Sequence, residues 1–321
     1  MPAIGGREKG PFLRLLKAAA KPGLTAAMPE LPEVETVMRG LKPVLEGQRI
    51  ATVTLRRADL RFPFPQGFAA RLAGRQILGL SRRATYILAE IEGGDCLLVH
   101  LGMTGRFTVL RPEGNRNLGE FYFETGAGSD AAGAHDHVVM TLADGTRLVY
   151  SDPRRFGVMD LFPSAEAASH KLLRDIGVEP LGNGFHAAYL AERFKGKSAP
   201  LKAALLDQGI IAGLGNIYVC EALFRTGLSP TRRAGTLARG KRVDPRLDVL
   251  VRHIRDILGE AIAAGGSTLQ DFAGTDGAAG VYQQRFAVYD REGEACTRCG
   301  APIRRRVQSG RSTFYCSACQ K

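Results

Sequence analysis

The 321-residue sequence contains no tryptophan, and its six cysteines do not form the framework of a secreted disulfide protein. Four of the six fall in two Cys-x-x-Cys pairs near the C-terminus. The sequence also lacks the run of about 18 apolar residues that a membrane-spanning helix needs. Acidic residues are outnumbered, 32 against 44 lysines and arginines, which gives a net charge of +12. This excess favours a polyanionic partner, with nucleic acid ahead of an acidic membrane surface, although a merely basic protein remains an alternative.

The apolar content of 45% is enough for a real core, and the length suits two compact domains or one domain with a small module. Short β-rich runs separated by Gly, Pro or Asp-Gly predict strands at 49–56, 76–80, 86–91, 96–100, 106–110, 121–124, 138–142 and 147–150. Apolar residues at helical spacing predict helices at 172–176, 187–194, 200–206, 216–224 and 247–264. This order indicates an α+β protein whose first part is an antiparallel sandwich.

An unusual run, Met-Pro-Glu-Leu-Pro-Glu-Val-Glu-Thr, occupies residues 28–36. Prolines and acids suit the first turn of a helix, so an ordinary helix start is one interpretation. The other depends on translation starting at Met28, because removal of that methionine makes Pro29 a terminal secondary amine. An α-amino group has a pKa near ~8 against roughly 10.4 for lysine, so much more of it is nucleophilic at neutral pH. Glu30 would then be a neighbouring proton donor.

The two cysteine pairs, Cys296 with Cys299 and Cys316 with Cys319, have the spacing of a structural zinc site. Zinc would stabilise a module too small for its own core, whereas two disulfides are the less favoured alternative. Between the pairs lie three consecutive arginines at 304–306 and then Arg311. The intervening segment is either a basic hairpin that inserts into a nucleic-acid groove or a solvated turn.

Three further segments suggest nucleic-acid contacts. Residues 213–218, Gly-Leu-Gly-Asn-Ile-Tyr, predict a helix start at which Asn216 caps the helix and a phosphate binds, although an ordinary capped helix fits as well. Two turns at strand ends carry Met103 and the sequence Arg154-Arg155-Phe156. Apolar side chains in such turns can fill the gap left by a flipped base, but they can also be plain core residues.

These motifs resemble the formamidopyrimidine-DNA glycosylase family, whose opening residues are identical to residues 28–36. The resemblance covers nearly everything from Met28 to Lys321. It implies a β-sandwich catalytic domain with flanking helices at 29–161, a helix–two-turn–helix DNA-binding domain at 178–270 and a β-hairpin zinc finger at 285–321. It also implies that residues 1–28 are an extension absent from the active protein.

By this resemblance the protein is a bifunctional DNA glycosylase and AP lyase that removes oxidised purines from duplex DNA. Pro29 is implied as the nucleophile, with Glu30 and Arg311 as proton-transfer groups and one structural Zn²⁺ on the four cysteines. The residues implied to contact DNA are His135, Arg154, Lys197, Lys202, Asn216, Met103 and Phe156. The expected partner is damaged double-stranded DNA, with no membrane, and we expect a monomer in the bacterial cytoplasm, associated with the nucleoid.

Several features depart from the family pattern. Thr85 stands where the family has a lysine, which predicts slower lyase chemistry or altered lesion preference, with Arg83 as a substitute cation. The Gly-rich segment 112–134 is longer than the family pattern leads us to expect, so we expect it to be disordered. Apart from these departures, residues 271–284 are expected to form a flexible linker or lid. Two alternatives stay open: an endonuclease VIII-like enzyme for oxidised pyrimidines, which Leu31 argues against, and a zinc-containing DNA-binding protein without catalysis if the proline nitrogen is blocked.

Overall fold

The computed structural model describes residues 28–112, 133–239, 242–267 and 281–321. The extension before Met28, the strand expected at 121–124, most of the loop expected at 112–134 and most of the linker expected at 271–284 lie outside these ranges. No described helix is both long and apolar enough to cross a membrane.

The N-terminal part is an antiparallel sandwich, as the sequence predicted. Its described strands are β1 Ile50–Leu55, β2 Ile77–Arg83, β3 Tyr86–Ile91, β4 Asp95–His100, β5 Arg106–Leu110, β6 Asp136–Leu142, β7 Arg147–Ser151 and β8 Val158–Pro163. They form two four-stranded sheets, in the orders β1-β6-β7-β5 and β2-β3-β4-β8. Helix α1 (Leu31–Leu45) and the short α2 (Phe68–Leu72) pack against them. Apolar side chains from both sheets and from α1 form one continuous buried core.

Strand β4 shows why the segment after the sandwich is not helical. Leu97 and Val99 face the sandwich core, whereas Leu98 faces the outer side of the sheet. Leu173 covers that outer side from a series of turns. The helix predicted at 172–176 was therefore wrong, because its apolar residues cover a sheet face rather than forming a helical stripe. Strand β8, which the sequence analysis missed, pairs with β4 and completes this sheet.

The second part is helical and has its own core. Its helices are α3 Ala187–Phe194, α4 Leu201–Leu205, α5 Asn216–Thr226 and α6 Pro245–Ala263. Asp244 caps α6 through the backbone N–H of Arg246, and Pro245 occupies the first turn, where its missing N–H costs nothing. Helix α5 lies against α6, and α1 also contacts α6, which brings the start of α1 close to the start of α5.

The C-terminal part is a hairpin of β9 (Arg304–Gln308) and β10 (Arg311–Tyr315). It is fixed to α5 by a small apolar cluster that includes Phe224 and Phe314. Glu221 strengthens this attachment, because its carboxylate accepts the backbone N–H groups of residues 287–289 at 2.8–3.0 Å. The hairpin is thereby held beside the N-terminal end of α5.

Candidate active site

The segment before α1 is buried between the sandwich and the helical part. Pro29 and Glu30 are both buried, and Glu30 is the N-cap of α1. The Glu33 carboxylate accepts the backbone N–H of Glu30 at 3.0 Å. The other oxygen of Glu33 accepts hydrogen bonds from the hydroxyl of Tyr218 and from the backbone and hydroxyl of Ser267. These bonds hold the backbone at Pro29–Glu30 in one orientation.

Glu30 points its carboxyl group at the N-terminus of α5. Its Oε1 accepts the backbone N–H of Ile217 at 3.0 Å, whereas Oε2 has no hydrogen-bond partner among the described residues. Burial and, to a lesser extent, the nearby Glu33 raise the pKa of Glu30 to about 8, against the opposing effect of the α5 amides and Arg311. A carboxyl group with this pKa is largely protonated at pH 7, so it can donate a proton.

The expected cap of α5 needs a correction. The N-cap is Gly215, and Asn216 is the first residue of the helix rather than its cap. The backbone N–H of Ile217, which has no partner within the helix, donates to the Glu30 carboxyl group. The carboxyl group of the α1 N-cap therefore occupies the place where we expected a phosphate. The Asn216 side chain instead donates to the backbone carbonyl of Ser312 in β10 at 3.0 Å.

Gly215 is required for this approach of Glu30 to α5. A Cβ at position 215 would lie 2.0 Å from Cδ of Glu30, far inside van der Waals contact. We predict that Gly215→Ala displaces the Glu30 side chain and lowers base-release activity by about 10²-fold, because small displacements of a catalytic group have effects of that order. Single-turnover base release, with the melting temperature measured in parallel, checks this. The matched control is Gly259→Ala, since a Cβ there meets nothing within 4 Å.

Lys202 and Arg311 are the cations close to Glu30. The Lys202 ammonium is buried and donates to the Ser312 carbonyl at 2.9 Å and to the Thr313 hydroxyl at 2.7 Å. Arg311 begins β10 and is exposed. Its guanidinium is close enough to lower the pKa of both Glu30 and Lys202, while burial is the larger influence on each. Lys202 thus holds the hairpin that places Arg311 near Glu30.

The four C-terminal cysteines form a zinc site. Their sulfur atoms lie within 4.8 Å of one another, with 3.9 Å between Cys296 and Cys319 and 3.5 Å between Cys299 and Cys316. Disulfide sulfurs would be about 2.05 Å apart, which excludes that alternative here. Four thiolates at about 2.3 Å from a tetrahedral Zn²⁺ lie roughly 3.8 Å apart, so the arrangement fits one structural zinc.

Zinc should control the position of Arg311. We predict that Cys316→Ser loses the metal and lowers affinity for lesion-containing duplex by at least about tenfold, because a hairpin this small depends on the metal for its structure. Zinc content by atomic absorption and a binding titration measure the two effects. The matched control is Cys96→Ser, since Cys96 is a buried thiol of the sandwich, outside the cluster. Full affinity in a zinc-free Cys316 variant would contradict the prediction.

The two turns at strand ends lie against each other. A Cβ on Gly102 would be 2.5 Å from the backbone of Gly157, so the backbones of the turns are in close contact. The buried Asp152 joins them by accepting the hydroxyl of Thr104 at 2.5 Å and the N–H of Gly157 at 2.8 Å. The turns therefore form one rigid surface.

The side chains expected to fill the gap of a flipped base lie on these turns. Phe156 is 43% exposed, with the Arg154 guanidinium 4.9 Å from its ring centre, and Met103 is half-buried. The exposed Phe156 is not a core residue, so the core interpretation fails for it. His135 is also exposed and adjoins the same surface, because its carbonyl accepts the N–H of Asp152 at 3.0 Å.

Lys197 is placed apart from these groups. Its ammonium lies 3.8 Å from the Asp207 carboxylate, and no described contact joins its side chain to Glu30, Arg311 or the two turns. Glu33, Tyr218 and Asp152 also hold these segments in place, although none of them was predicted from the sequence. For Glu33, the three-residue spacing from Glu30 is a capping-box signal that could have been noticed. Tyr218 and Asp152 act through contacts that are distant in sequence or depend on the turns, which no local pattern signals.

Three family models match most of the chain. They are the formamidopyrimidine-DNA glycosylase N-terminal domain over residues 28–159, the H2TH domain of the same enzymes over 176–273, and the zinc finger found in FPG and IleRS over 293–321. Formamidopyrimidine-DNA glycosylases from Rhizobium johnstonii and Methylobacterium sp. (strain 4-46) are each 55% identical over 300 residues. They cover 92% and 91% of this chain, and 100% and 99% of their own lengths.

Solved structures agree with these matches. The MutM (Fpg) protein of Thermus thermophilus is 39% identical, with a TM-score of 0.75 over 91% of this chain and 98% of its own. A Lactococcus lactis FPG variant in complex with DNA containing Fapy-dG is 31% identical, with a TM-score of 0.78 over 91% of this chain and 100% of its own. By sequence, by domain order and by three-dimensional structure, the chain belongs to the formamidopyrimidine-DNA glycosylase family.

Proposed function

We propose that this protein is a bifunctional DNA glycosylase and AP lyase that removes oxidised purines, 8-oxoguanine and formamidopyrimidines, from duplex DNA. The observation that carries the proposal is the buried Pro29–Glu30 segment, whose carboxyl group has a pKa of about 8 and lies between the α5 N-terminus and the hairpin that carries Arg311. The proposed nucleophile is therefore adjacent to a protonated acid and close to an exposed cation.

The reaction begins when the Pro29 nitrogen attacks C1′ of the flipped nucleotide. A C–N bond forms, the glycosidic bond breaks, and the departing base leaves with its bonding electron pair and a proton. The sugar ring then opens at the C1′–O4′ bond, O4′ takes up a proton, and C1′ is left as a cationic iminium. The iminium acidifies the sugar, so loss of a C2′ proton expels the 3′ phosphate by β-elimination and loss of a C4′ proton expels the 5′ phosphate by δ-elimination. Glu30 supplies and accepts protons near the sugar, and Arg311 assists the final elimination. The zinc supplies no chemistry in this scheme; it holds the hairpin.

The active form is proposed to begin at Pro29. The nitrogen of a residue within a chain is an amide, whose lone pair is delocalised and not nucleophilic. The match to the N-terminal family model starts at Met28, which supports initiation there followed by removal of the methionine. Residues 1–28 are then not part of the active enzyme, and the domains are those at 29–161, 178–270 and 285–321.

DNA contacts are assigned to two surfaces. Met103, Arg154 and Phe156, with His135 beside them, are proposed to fill the gap of the flipped base and contact the opposite strand. Lys197, Lys202 and Asn216 are proposed to bind phosphates around the lesion, although Lys202 and Asn216 already donate to the Ser312 carbonyl. We propose a monomer in the bacterial cytoplasm, associated with the nucleoid and not with a membrane.

The choice of lesion separates this proposal from the endonuclease VIII-like alternative. A Lactococcus lactis Fpg structure holds DNA that contains an oxidised pyrimidine, so the scaffold alone does not decide the substrate. We predict that the protein beginning at Pro29 nicks a duplex with 8-oxoguanine opposite cytosine at least about tenfold faster than one with thymine glycol opposite adenine. This ratio corresponds to a difference of about 1.4 kcal/mol in transition-state binding.

Gel electrophoresis of end-labelled duplexes under single-turnover conditions measures both rates. An undamaged duplex is the control for contaminating nucleases. Faster cleavage of thymine glycol would establish the pyrimidine alternative. Binding of both duplexes without nicking of either would establish the alternative of a zinc-containing DNA-binding protein without catalysis.

A further inference from the structure

Thr85 borders the proposed active site. It lies in the two-residue turn between β2 and β3, after Ala84, which has a positive φ of 50°. The backbone of Ala84 comes within 3.2 Å of the position that a Cβ on Gly213 would occupy. The Gly213 carbonyl oxygen also accepts the backbone N–H of Leu31, the residue directly after Glu30, at 3.0 Å. The turn that carries Thr85 is therefore packed against the backbone that holds Pro29 and Glu30.

The Thr85 corner carries no charge of its own. The Thr85 hydroxyl lies 3.1 Å from Nε2 of His100, and the N–H of Gly102 donates to Nδ1 of the same ring at 3.0 Å. A ring nitrogen that accepts a hydrogen bond has no proton, so this imidazole is neutral. Burial, with a smaller contribution from Arg61, lowers the pKa of His100 to about 4, which agrees with that assignment.

The two neighbouring arginines are already paired. Arg82 binds Glu35 at 2.7 Å and Glu179 at 2.8 Å, and its side chain is 8% exposed. Arg83 binds Glu179 at 2.9 Å and donates to the carbonyls of residues 176 and 177. Our expectation that Arg83 replaces the lysine of the family therefore does not fit its contacts, since its guanidinium is already occupied by Glu179 and two backbone carbonyls.

Arg61 is the remaining cation near this corner. It is exposed, and no carboxylate among the described residues lies within ion-pair distance of it. The backbone N–H of Arg61 donates to the Gly157 carbonyl at 3.1 Å. Gly157 lies against Gly102, whose backbone N–H donates to the His100 ring. Burial is the larger influence on the pKa of both His100 and Tyr86, and the charge of Arg61 lowers each of these pKa values. The two rings are 5.0 Å apart. The backbone of Arg61 therefore lies at the junction of the Thr85 corner and the surface with Phe156, and its guanidinium lies 5.7 Å from the centre of the Phe62 ring.

We infer that Arg61 binds a phosphate of the lesion strand and supplies, from the 56–64 loop, the positive charge that Thr85 does not provide. The inference rests on the proposed function, because it assumes a DNA strand in the pocket. A guanidinium can hold two phosphate oxygens at once, and its long side chain reaches past a neutral threonine. Thr85 and the neutral His100 then contribute hydrogen bonds rather than charge.

A double-substitution experiment tests this. Wild type, Arg61→Gln, Thr85→Lys and the double variant, all beginning at Pro29, are titrated with a duplex that contains a tetrahydrofuran abasic analogue, at several salt concentrations. Arg61→Gln is expected to weaken binding at least tenfold and to reduce the salt slope by about 0.9, the value for one lost phosphate contact. In the Thr85→Lys background the same substitution is expected to weaken binding less than threefold, because lysine restores the charge.

The control is Arg57→Gln, since Arg57 is an exposed arginine nearby whose charge is paired with Asp59 at 3.2 Å. Arg61→Lys keeps the charge and is expected to bind within threefold of wild type, which separates charge from folding. Equal effects of Arg61→Gln and Arg57→Gln would overturn the inference, and so would an Arg61→Gln effect that is the same in both backgrounds. Failure of the wild type itself to nick damaged DNA would instead refute the proposed function.

Discussion

A protein that begins at Pro29 is expected to form a covalent adduct with an abasic-site duplex that borohydride traps, and the chain that retains residues 1–28 is expected not to. In the longer chain the Pro29 nitrogen is an amide, so no iminium can form. Loss of a nucleophile typically lowers the rate by at least about 10³-fold, so trapping by the longer chain should fall below detection. Denaturing gels of the trapped complexes, with N-terminal masses confirmed beforehand, make the comparison.

A control separates nucleophilicity from folding. Pro29→Gly retains a free terminal amine and should still trap, but more slowly, whereas an N-acetylated Pro29 protein should bind duplex without trapping. Equal trapping by the two chain lengths, with residues 1–28 verified as intact, would show that another amine is the nucleophile.

Replacing Glu30 by glutamine is expected to lower base release by about 10²–10⁴-fold, the usual contribution of a general acid. The same substitution is expected to increase stability. Because burial raises the pKa of Glu30 to about 8, its carboxyl group is protonated in the folded protein at neutral pH. In the unfolded chain, with a pKa of ~4.3, the same group is ionised, so folding requires the uptake of a proton. At pH 7 this linkage costs roughly 3 kcal/mol, which glutamine avoids while still accepting the N–H of Ile217.

The sign of the pH dependence follows from the raised pKa. The folded state binds more protons than the unfolded state between pH ~4.3 and about 8, so wild-type stability should fall as pH rises through that window. The difference in unfolding free energy between Glu30→Gln and wild type should therefore grow from pH 5 to pH 8. Base release should decline above about pH 8 as Glu30 loses its proton.

Urea unfolding at several pH values checks the stability effect. A matched control is Glu35→Gln, since partial burial raises the pKa of Glu35 but hydrogen bonds from Arg82 and Arg39 lower it more. That substitution should reduce stability at neutral pH, the opposite of Glu30→Gln. A Glu30→Gln variant that is less stable than wild type at pH 8 and retains full activity would refute the proton-donor role.

Local chemistry made much of this site predictable. The nine residues at 28–36 predicted a helix start, which α1 confirms, and they also suggested the proposed nucleophile. The two Cys-x-x-Cys pairs predicted a zinc site, and the sulfur geometry agrees. Alternation of β-branched residues with turn signals predicted most strands of the sandwich. These features depend on residues close together in sequence, where steric and hydrogen-bonding preferences act directly.

The errors arose where distant segments decide the outcome. The carboxyl group at the start of α5 comes from Glu30, 187 residues away from Ile217, so Asn216 does not need to cap that helix. Leu173 covers the outer face of a sheet from a series of turns, and the apolar residues of this segment were wrongly predicted to form a helix. Arg83 looked like a free cation, yet Glu179 pairs with it. In each case the partner belongs to another element, and no local pattern identifies it.

The most direct measurement is the identification of the atom that carries the DNA. The protein produced from its natural start signals is trapped with borohydride on an abasic-site duplex, digested with nuclease and protease, and sequenced by mass spectrometry. We predict a single modified peptide that begins at Pro29, with the sugar fragment on the proline nitrogen and no residue before it. A fragment carried by a lysine such as Lys202, or an active protein in which residue 28 still precedes Pro29, would contradict the account.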